Sequence, residues 1–265
     1  MSKFIIIPFS NETDAFKGVQ MLKDLDRDGD IGLYAYSVLA KSVEGRLAVK
    51  KMQDEGQPGL VFGSLIGGLV GMFGGPAGLA LGVAGGALLG SLADIAKAGA
   101  PMRFAEAVAR EIEPGGVAIV AEIDEGWTTP LDASLQTLGT AAIREWRSDV
   151  EDAQYEADAK KARQEYEHLK DEANKTHEAN KAKLREKAQA AKSYLTATRD
   201  AVKTRLDTIK AEADAKIAHA QQQLKTASAE RKAQIETRIA EIKTDAHQRS
   251  EKLHQAWELT KEALR

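Results

Sequence analysis

Residues Gly59–Gly90 read GLVFGSLIGGLVGMFGGPAGLALGVAGGALLG, and how this stretch folds decides how the whole chain is understood. It is apolar enough for a bilayer, yet twelve of its thirty-two residues are glycine, the poorest helix former after proline. The spacing is regular. Gly59, Gly63, Gly67, Gly71 and Gly75 stand four apart, and beyond Pro76 so do Gly78, Gly82, Gly86 and Gly90. A flexible linker has no such period and no load of large apolar residues. Two helices are therefore expected, each with a ridge of glycine on one face that lets another backbone approach closely. Their other faces carry Leu60, Phe62, Leu65, Ile66, Leu69 and Phe73, then Leu79, Leu81, Val83, Leu88, Leu89 and Leu92. The GGPAG between them is a tight reversal.

Two environments suit such a hairpin. No charge occurs between Glu55 and Asp94, and Lys50, Lys51, Lys97 and Arg103 flank the segment, as for a loop entering a membrane from the cytoplasmic side. Each arm of about 17 residues would span roughly 25 Å of a core about 30 Å thick. In the alternative, hairpins from many subunits pack together inside a soluble scaffold, filament or shell. The glycines cost roughly 10 kcal/mol of helix propensity in water, which a lone hairpin cannot offset. Both readings demand a large homo-oligomer.

Outward from this stretch the chain reads as α+β. KFIIIPF (3–9) is a buried strand, and NETDAFKGVQMLKDL follows as a helix capped by Asn11 or Thr13. The turn DRDGD leads into a hairpin, IGLYAYSVLAKSV and RLAVKK, joined at Glu44-Gly45. After the glycine stretch come a helix opened by Pro101, a strand VAIVAEI, a short helix from Thr129-Pro130 and a last strand, AAIREWR. The first six elements match a ferredoxin-like βαββαβ domain over 1–147, with 58–98 inserted as a glycine-zipper hairpin and the helices on one face of the sheet.

From Thr140 to Arg265 there is neither glycine nor proline in 126 residues. That composition predicts one very long helix over 148–265, about 170 Å from residue 150 onward. A seam of apolar or small residues runs along it: Leu169, Leu184, Leu195, Val202, Leu206, Ile209, Ile217, Leu224, Ile235, Ile239, Ile242, Leu253 and Trp257, with alanines between. Its steps average about 3.64 residues, near an 11-residue repeat, so a nearly straight, coiled-coil-like rod is expected. Such a stripe needs a partner, and the seam predicts alignment with neighbouring rods.

The short βαββ domain with a glycine hairpin ahead of AEAVAREIEPGGVAIVAEI resembles an uncharacterised bacterial family of predicted membrane proteins. The resemblance covers residues 1–147 and implies a ferredoxin-like domain and membrane contact, but no activity. The long tail departs from that family's usual form.

Chemistry is sparse. The first 147 residues hold 13 of the 37 Lys and Arg and 18 of the 40 Asp and Glu, which leaves 24 against 22 for the rest. Neither part is a basic field, which argues against nucleic acid. The chain has no cysteine, so thiolate catalysis and disulfides are excluded. Asp24, Asp26, Asp28, Gly29 and Asp30 mimic a calcium loop, but its twelfth position is Ala35 where a bidentate Glu is needed; a helix-to-strand turn is the better account. All five histidines (His168, His177, His219, His247, His254) lie in the tail without metal-site spacing. Trp127, Trp146 and Trp257 read as packing residues. No nucleophile triad or phosphate loop is present. The expectation is a non-enzymatic structural protein with no cofactor or small-molecule substrate, whose partners are copies of itself and a lipid bilayer. The short apolar run at the N-terminus is too brief for a secretory signal, which predicts a location in the cytoplasm or on the cytoplasmic face of the inner membrane.

Overall fold

The computed structural model describes residues 2–54, 59–74, 99–175 and 178–264. It divides into two units, the first formed by 1–150 with 212–244 and the second by 151–211 with 245–265. A clean boundary at 147 was expected; instead a stretch of the tail belongs with the sheet.

The first unit holds β1 (Ser2–Phe9), α1 (Glu12–Arg27), β2 (Gly32–Lys41), β3 (Leu47–Asp54), α2 (Gly59–Phe73), α3 (Gly99–Glu111), β4 (Val117–Asp124), α4 (Thr129–Thr137) and β5 (Ile143–Trp146). The five strands form one antiparallel sheet in the order β3-β2-β4-β1-β5. Local chemistry sets the boundaries. Asn11 caps α1 by accepting from the Asp14 amide at 2.9 Å, which satisfies a donor the helix cannot. Gly45, with φ of 84°, turns the β2–β3 hairpin. Gly115, with φ of 83°, reverses the chain before β4 and donates its amide to the Lys41 carbonyl at 2.8 Å. Both are conformations that glycine adopts without strain.

Helices cover both faces of the sheet. On one, Ala15, Val19 and Leu22 of α1 and Leu131 and Leu135 of α4 pack on Ile5, Ile7, Val38, Ile119 and Ile123. On the other, Phe62, Ile66, Leu69 and Val70 of α2 and Phe104, Val108 and Ile112 of α3 pack on Phe4, Ile6, Leu39 and Val120. The element order foreseen from sequence is present, but the one-faced arrangement is not. The reason is legible in the strands: β1 and β4 carry apolar residues at nearly every position, as strands buried on both faces do.

The tail is helical but not a single rod. It forms α5 (Arg147–Lys175), α6 (Glu178–Thr226) and α7 (Ala229–Ala263). Helix α6 ends at Thr226 and the chain restarts two residues later, where the Ser228 hydroxyl accepts from the Arg231 amide at 3.5 Å and its carbonyl from the Lys232 amide at 2.9 Å. Within the second unit the three helices form a bundle. Ala159 shares one cluster with Val202, Ile209, Leu253 and Ala256, and Ala162 and Tyr166 share another with Ala191, Leu195 and Ala263. Residue numbers fall along α6 as they rise along α5 and α7, so α6 runs antiparallel to both. The expected straight rod over 148–265 is thus corrected to a folded set of helices.

Candidate functional site

Two features of the first unit stand out, and residues that the sequence singles out build the first and part of the second. The first is α2. Its large side chains point into the sheet: Phe62, Ile66 and Leu69 are buried, and the Phe4 ring lies 6.3 Å from that of Phe62. Gly63, Gly67, Gly68 and Gly71 face away, and a Cβ added at any of them meets nothing within 4 Å among the described residues. Gly59 stands at the start of the same helix. Gly75, Gly78, Gly82, Gly86 and Gly90 lie outside the described residues, so the pairing of two glycine arms does too. Among the described residues no helix is long and apolar enough to cross a membrane.

The second is a polar joint at the end of the sheet where β1 begins and β4 ends. The register sets Ser2 opposite Asp124 and Phe4 opposite Glu122, and it leaves Glu122, Asp124 and Glu125 buried. Buried carboxylates require partners. Lys3 and Arg144 supply them for Glu125, at 3.0 and 2.6 Å, and Arg144 also reaches Asp132 at 2.7 Å. For Glu122 the cation comes from far along the chain. The Lys216 ammonium on α6 donates to Glu122 Oε1 at 2.6 Å and to Ser2 Oγ at 2.5 Å, and lies 4.5 Å from the Tyr34 ring. Tyr34 in turn donates to Asp124 Oδ2 at 2.9 Å.

Electrostatics follow from this enclosure. Burial pushes the Asp124 carboxyl up, but the Lys216 charge and hydrogen bonds from Tyr34 and Ser2 outweigh it and hold the group below the usual aspartate range. Burial, and then the neighbouring Asp124 charge, push the Tyr34 phenol well above its ordinary value.

The acidic turn that mimics a calcium loop belongs to the same joint. Asp26 Oδ1 caps the Leu33 amide at 2.9 Å and meets His219 Nε2 at 2.8 Å and Gln223 Nε2 at 3.0 Å. Gln223 also donates to the Asp26 and Ile31 carbonyls, at 2.5 and 3.0 Å. Arg231 of α7 grips Asp30 with two hydrogen bonds of 2.9 Å. Asp24 pairs with Arg27 at 2.8 Å. The aspartates of this turn thus face basic and amide side chains, and among the described residues no group of three His, Asp or Glu is gathered to hold a metal ion. Gly29, with φ of +82°, brings the turn against Ile235, whose Cδ1 lies 2.9 Å from where a Cβ would stand. Sequence reasoning treated turn and tail separately; pairs some 200 residues apart leave no local signal.

Part of the seam is buried within the chain itself. Leu195, Val202, Ile209, Ile235 and Leu253 are 0–1% exposed, and Ile242 is buried too. Leu169, Leu206 and Trp257 pack partly buried against the bundle clusters. Leu184, Ile217, Leu224 and Ile239 are half-buried. The seam residues of the two bundle clusters therefore have helices of the same chain as partners, and that part of the stripe is not left over for neighbouring rods. His168, His247 and His254 sit on exposed helix faces within reach of a glutamate four residues on; His177 lies outside the described residues.

Chemically, the joint brings together charges that answer one another, with its ammonium against a carboxylate and a hydroxyl. That is the chemistry of holding two segments together. No protein-family model matches the chain, and neither a curated protein nor a solved structure does.

Proposed function

We propose that this is a non-enzymatic structural protein that self-assembles into a large homo-oligomer, with the glycine face of α2 as its contact surface. One observation carries the proposal. The helix turns its large residues into its own sheet and presents Gly63, Gly67, Gly68 and Gly71 outward with nothing against them among the described residues. Each internal glycine costs a helix about 0.8–1 kcal/mol relative to alanine, and the fold of the described chain does not use their smallness. Close approach of a second backbone does use it.

A protein partner suits this face better than lipid. The bulky side chains that would favour a bilayer are already engaged with the sheet, and glycine contributes little to insertion. The family resemblance over 1–147 points the other way, to membrane contact, and the two occupants are separable. The test is sedimentation velocity of the full chain beside Gly67→Leu, with liposome flotation of both. Self-assembly through α2 predicts a large species for the parent, a small one for Gly67→Leu with an unchanged circular dichroism spectrum, and neither floating. A parent that sediments as a monomer would sink the proposal. Flotation abolished by Gly67→Leu would transfer the face to lipid.

A further inference from the structure

We infer that segment 212–244, the α6–α7 turn with its flanking helices, is a releasable electrostatic latch on the sheet domain. It is not a fixed part of that domain's core. The inference stands apart from the self-assembly reading and concerns contacts within one chain.

The two apolar clusters of the sheet are closed by α1 and α4 on one face and α2 and α3 on the other, and among the described residues neither draws a residue from 212–244. Among the described residues, a set of hydrogen bonds and ion pairs joins the segment to the sheet domain. Lys216 bonds to Glu122 and Ser2, His219 to Asp26, Gln223 to Asp26 and Ile31, and Arg231 to Asp30. Arg238 adds a bond of 3.4 Å to the Gly29 carbonyl. Ile235 against Gly29 supplies an apolar contact. Every charge in this set regains water on release, so the Coulombic gain of docking is largely offset by desolvation. An apolar interface has no such compensation.

One bond also ties the segment's two helices to each other: Arg238 donates to the Gln223 side-chain oxygen. The pairs differ in how salt reaches them. Lys216 and Glu122 are 4% and 0% exposed, whereas Arg231 and Asp30 are 39% and 9% and His219 and Asp26 are 25% and 19%. Salt weakens exposed pairs first. The latch therefore has a screened outer part at Arg231 and a protected anchor at Lys216.

The chain contains no cysteine, so two introduced thiols carry spin labels without background. Exposed Asp28 and Lys232 suit the purpose, as Asp28→Cys and Lys232→Cys in the full chain, diluted with unlabelled protein so that only the intrachain distance is read. At low ionic strength a single short distance is expected. In about 1 M NaCl, where the Debye length is near 3 Å, a longer population should rise about tenfold while the helical signal is unchanged. Arg231→Glu should produce that population at low salt, and adding Asp30→Lys should restore the short distance. Lys216→Met should open the latch more fully than Arg231→Glu, since it removes the buried cation that donates to Glu122 and Ser2. A distance that stays short in salt and in Arg231→Glu would overturn the inference. So would opening that coincides with loss of helical signal, or an Asp30→Lys change that fails to restore the short distance.

Discussion

Between β1 and β4 the sheet meets its helices through Phe4, Ile6, Ile119 and Val120, while the bundle helices meet through Ala159, Ala162, Ala191 and Ala256. Among the described residues each face of the sheet gathers sixteen buried apolar residues and each bundle cluster five. With so little apolar area, the bundle places a charged node inside. Asp152 of α5 accepts from Arg205 of α6 at 3.0 Å and from Arg249 of α7, which also reaches Asp245 at 3.6 Å. One carboxylate thus touches all three helices. Such a node adds little net stability, because burying the charges costs about as much as pairing them returns. What it supplies is register: alanine faces slide past one another easily, and a two-guanidinium site accepts a carboxylate at one setting only. The sheet, whose register is fixed by its ladders, has no such need.

The largest effect should come from emptying the sheet core. Phe4 lies between Phe62 and Phe104, 6.3 and 5.4 Å from their ring centres, and is fully buried. Phe4→Ala should cost about 4 kcal/mol, the usual scale for deleting a buried aromatic ring. The loss should appear in urea unfolding followed by Trp127 and Trp146 fluorescence. Trp257, in the bundle, should report a smaller change.

Next comes the node. Asp152→Ala takes the shared carboxylate away from two buried guanidinium groups and should cost about 3 kcal/mol. That is somewhat below Phe4→Ala, because the Asp152 side chain retains 7% of its exposure and water can reach the site. Acid should act on the same group. Burial raises the Asp152 carboxyl, but hydrogen bonding and charge from Arg249, then Arg205, outweigh it and leave it below the usual aspartate range. A carboxyl lowered in the fold stabilises above its unfolded value, and the contribution fades as pH falls through the folded one. Bundle stability should therefore drop below about pH 4 in the parent and be flatter in Asp152→Ala. Tyr34 sharpens the contrast, since its raised phenol makes the sheet unit lose stability as pH climbs past the ordinary phenol range near 10. Tyr34→Phe should remove that alkaline limb, as thermal melts across pH would reveal.

Much of the sheet was legible because its signals are local. The apolar run of β1, the Asn11 cap, Gly45 and Gly115 each act within a few residues, and the strands and helices fall where those residues predict. The covering of both faces was harder to see, since it depends on which side of the sheet each crossover takes. In the tail, a period near 3.64 establishes that a stripe needs a partner but not whose stripe it meets. Leu195 and Leu253 obey the same spacing in a rod facing another molecule as in a helix facing its own chain. The reversal after Thr226 uses neither glycine nor proline. Its trace is Ser228 followed by Glu230, an N-cap with an acid in the first turn, easily lost among so many similar residues. On α2 the glycine spacing was plain in the sequence, and the structure adds which side of the helix it occupies. The joint was the least legible, because Asp30 and Arg231 meet only after both halves have folded.

The smallest predicted effect separates buried from surface charge within the bundle. Arg163 and Glu167 on α5 form an i,i+4 pair at 2.8 Å with 29% and 47% of their side chains exposed. In water such a pair gains little, because solvent screens it and two long side chains lose freedom in making it. Arg163→Gln keeps helix propensity and most of the stem, so unfolding by urea should shift by less than about 0.5 kcal/mol. Asp152→Ala and Arg163→Gln each remove one charge from the same helix, eleven positions apart. If register is what the buried node supplies, the first should also broaden the unfolding transition as alternative settings of the helices become populated, and the second should leave its slope untouched. Equal costs for the two would mean that the bundle is held by general charge balance, and that the contrast with the sheet lies only in the size of the apolar core.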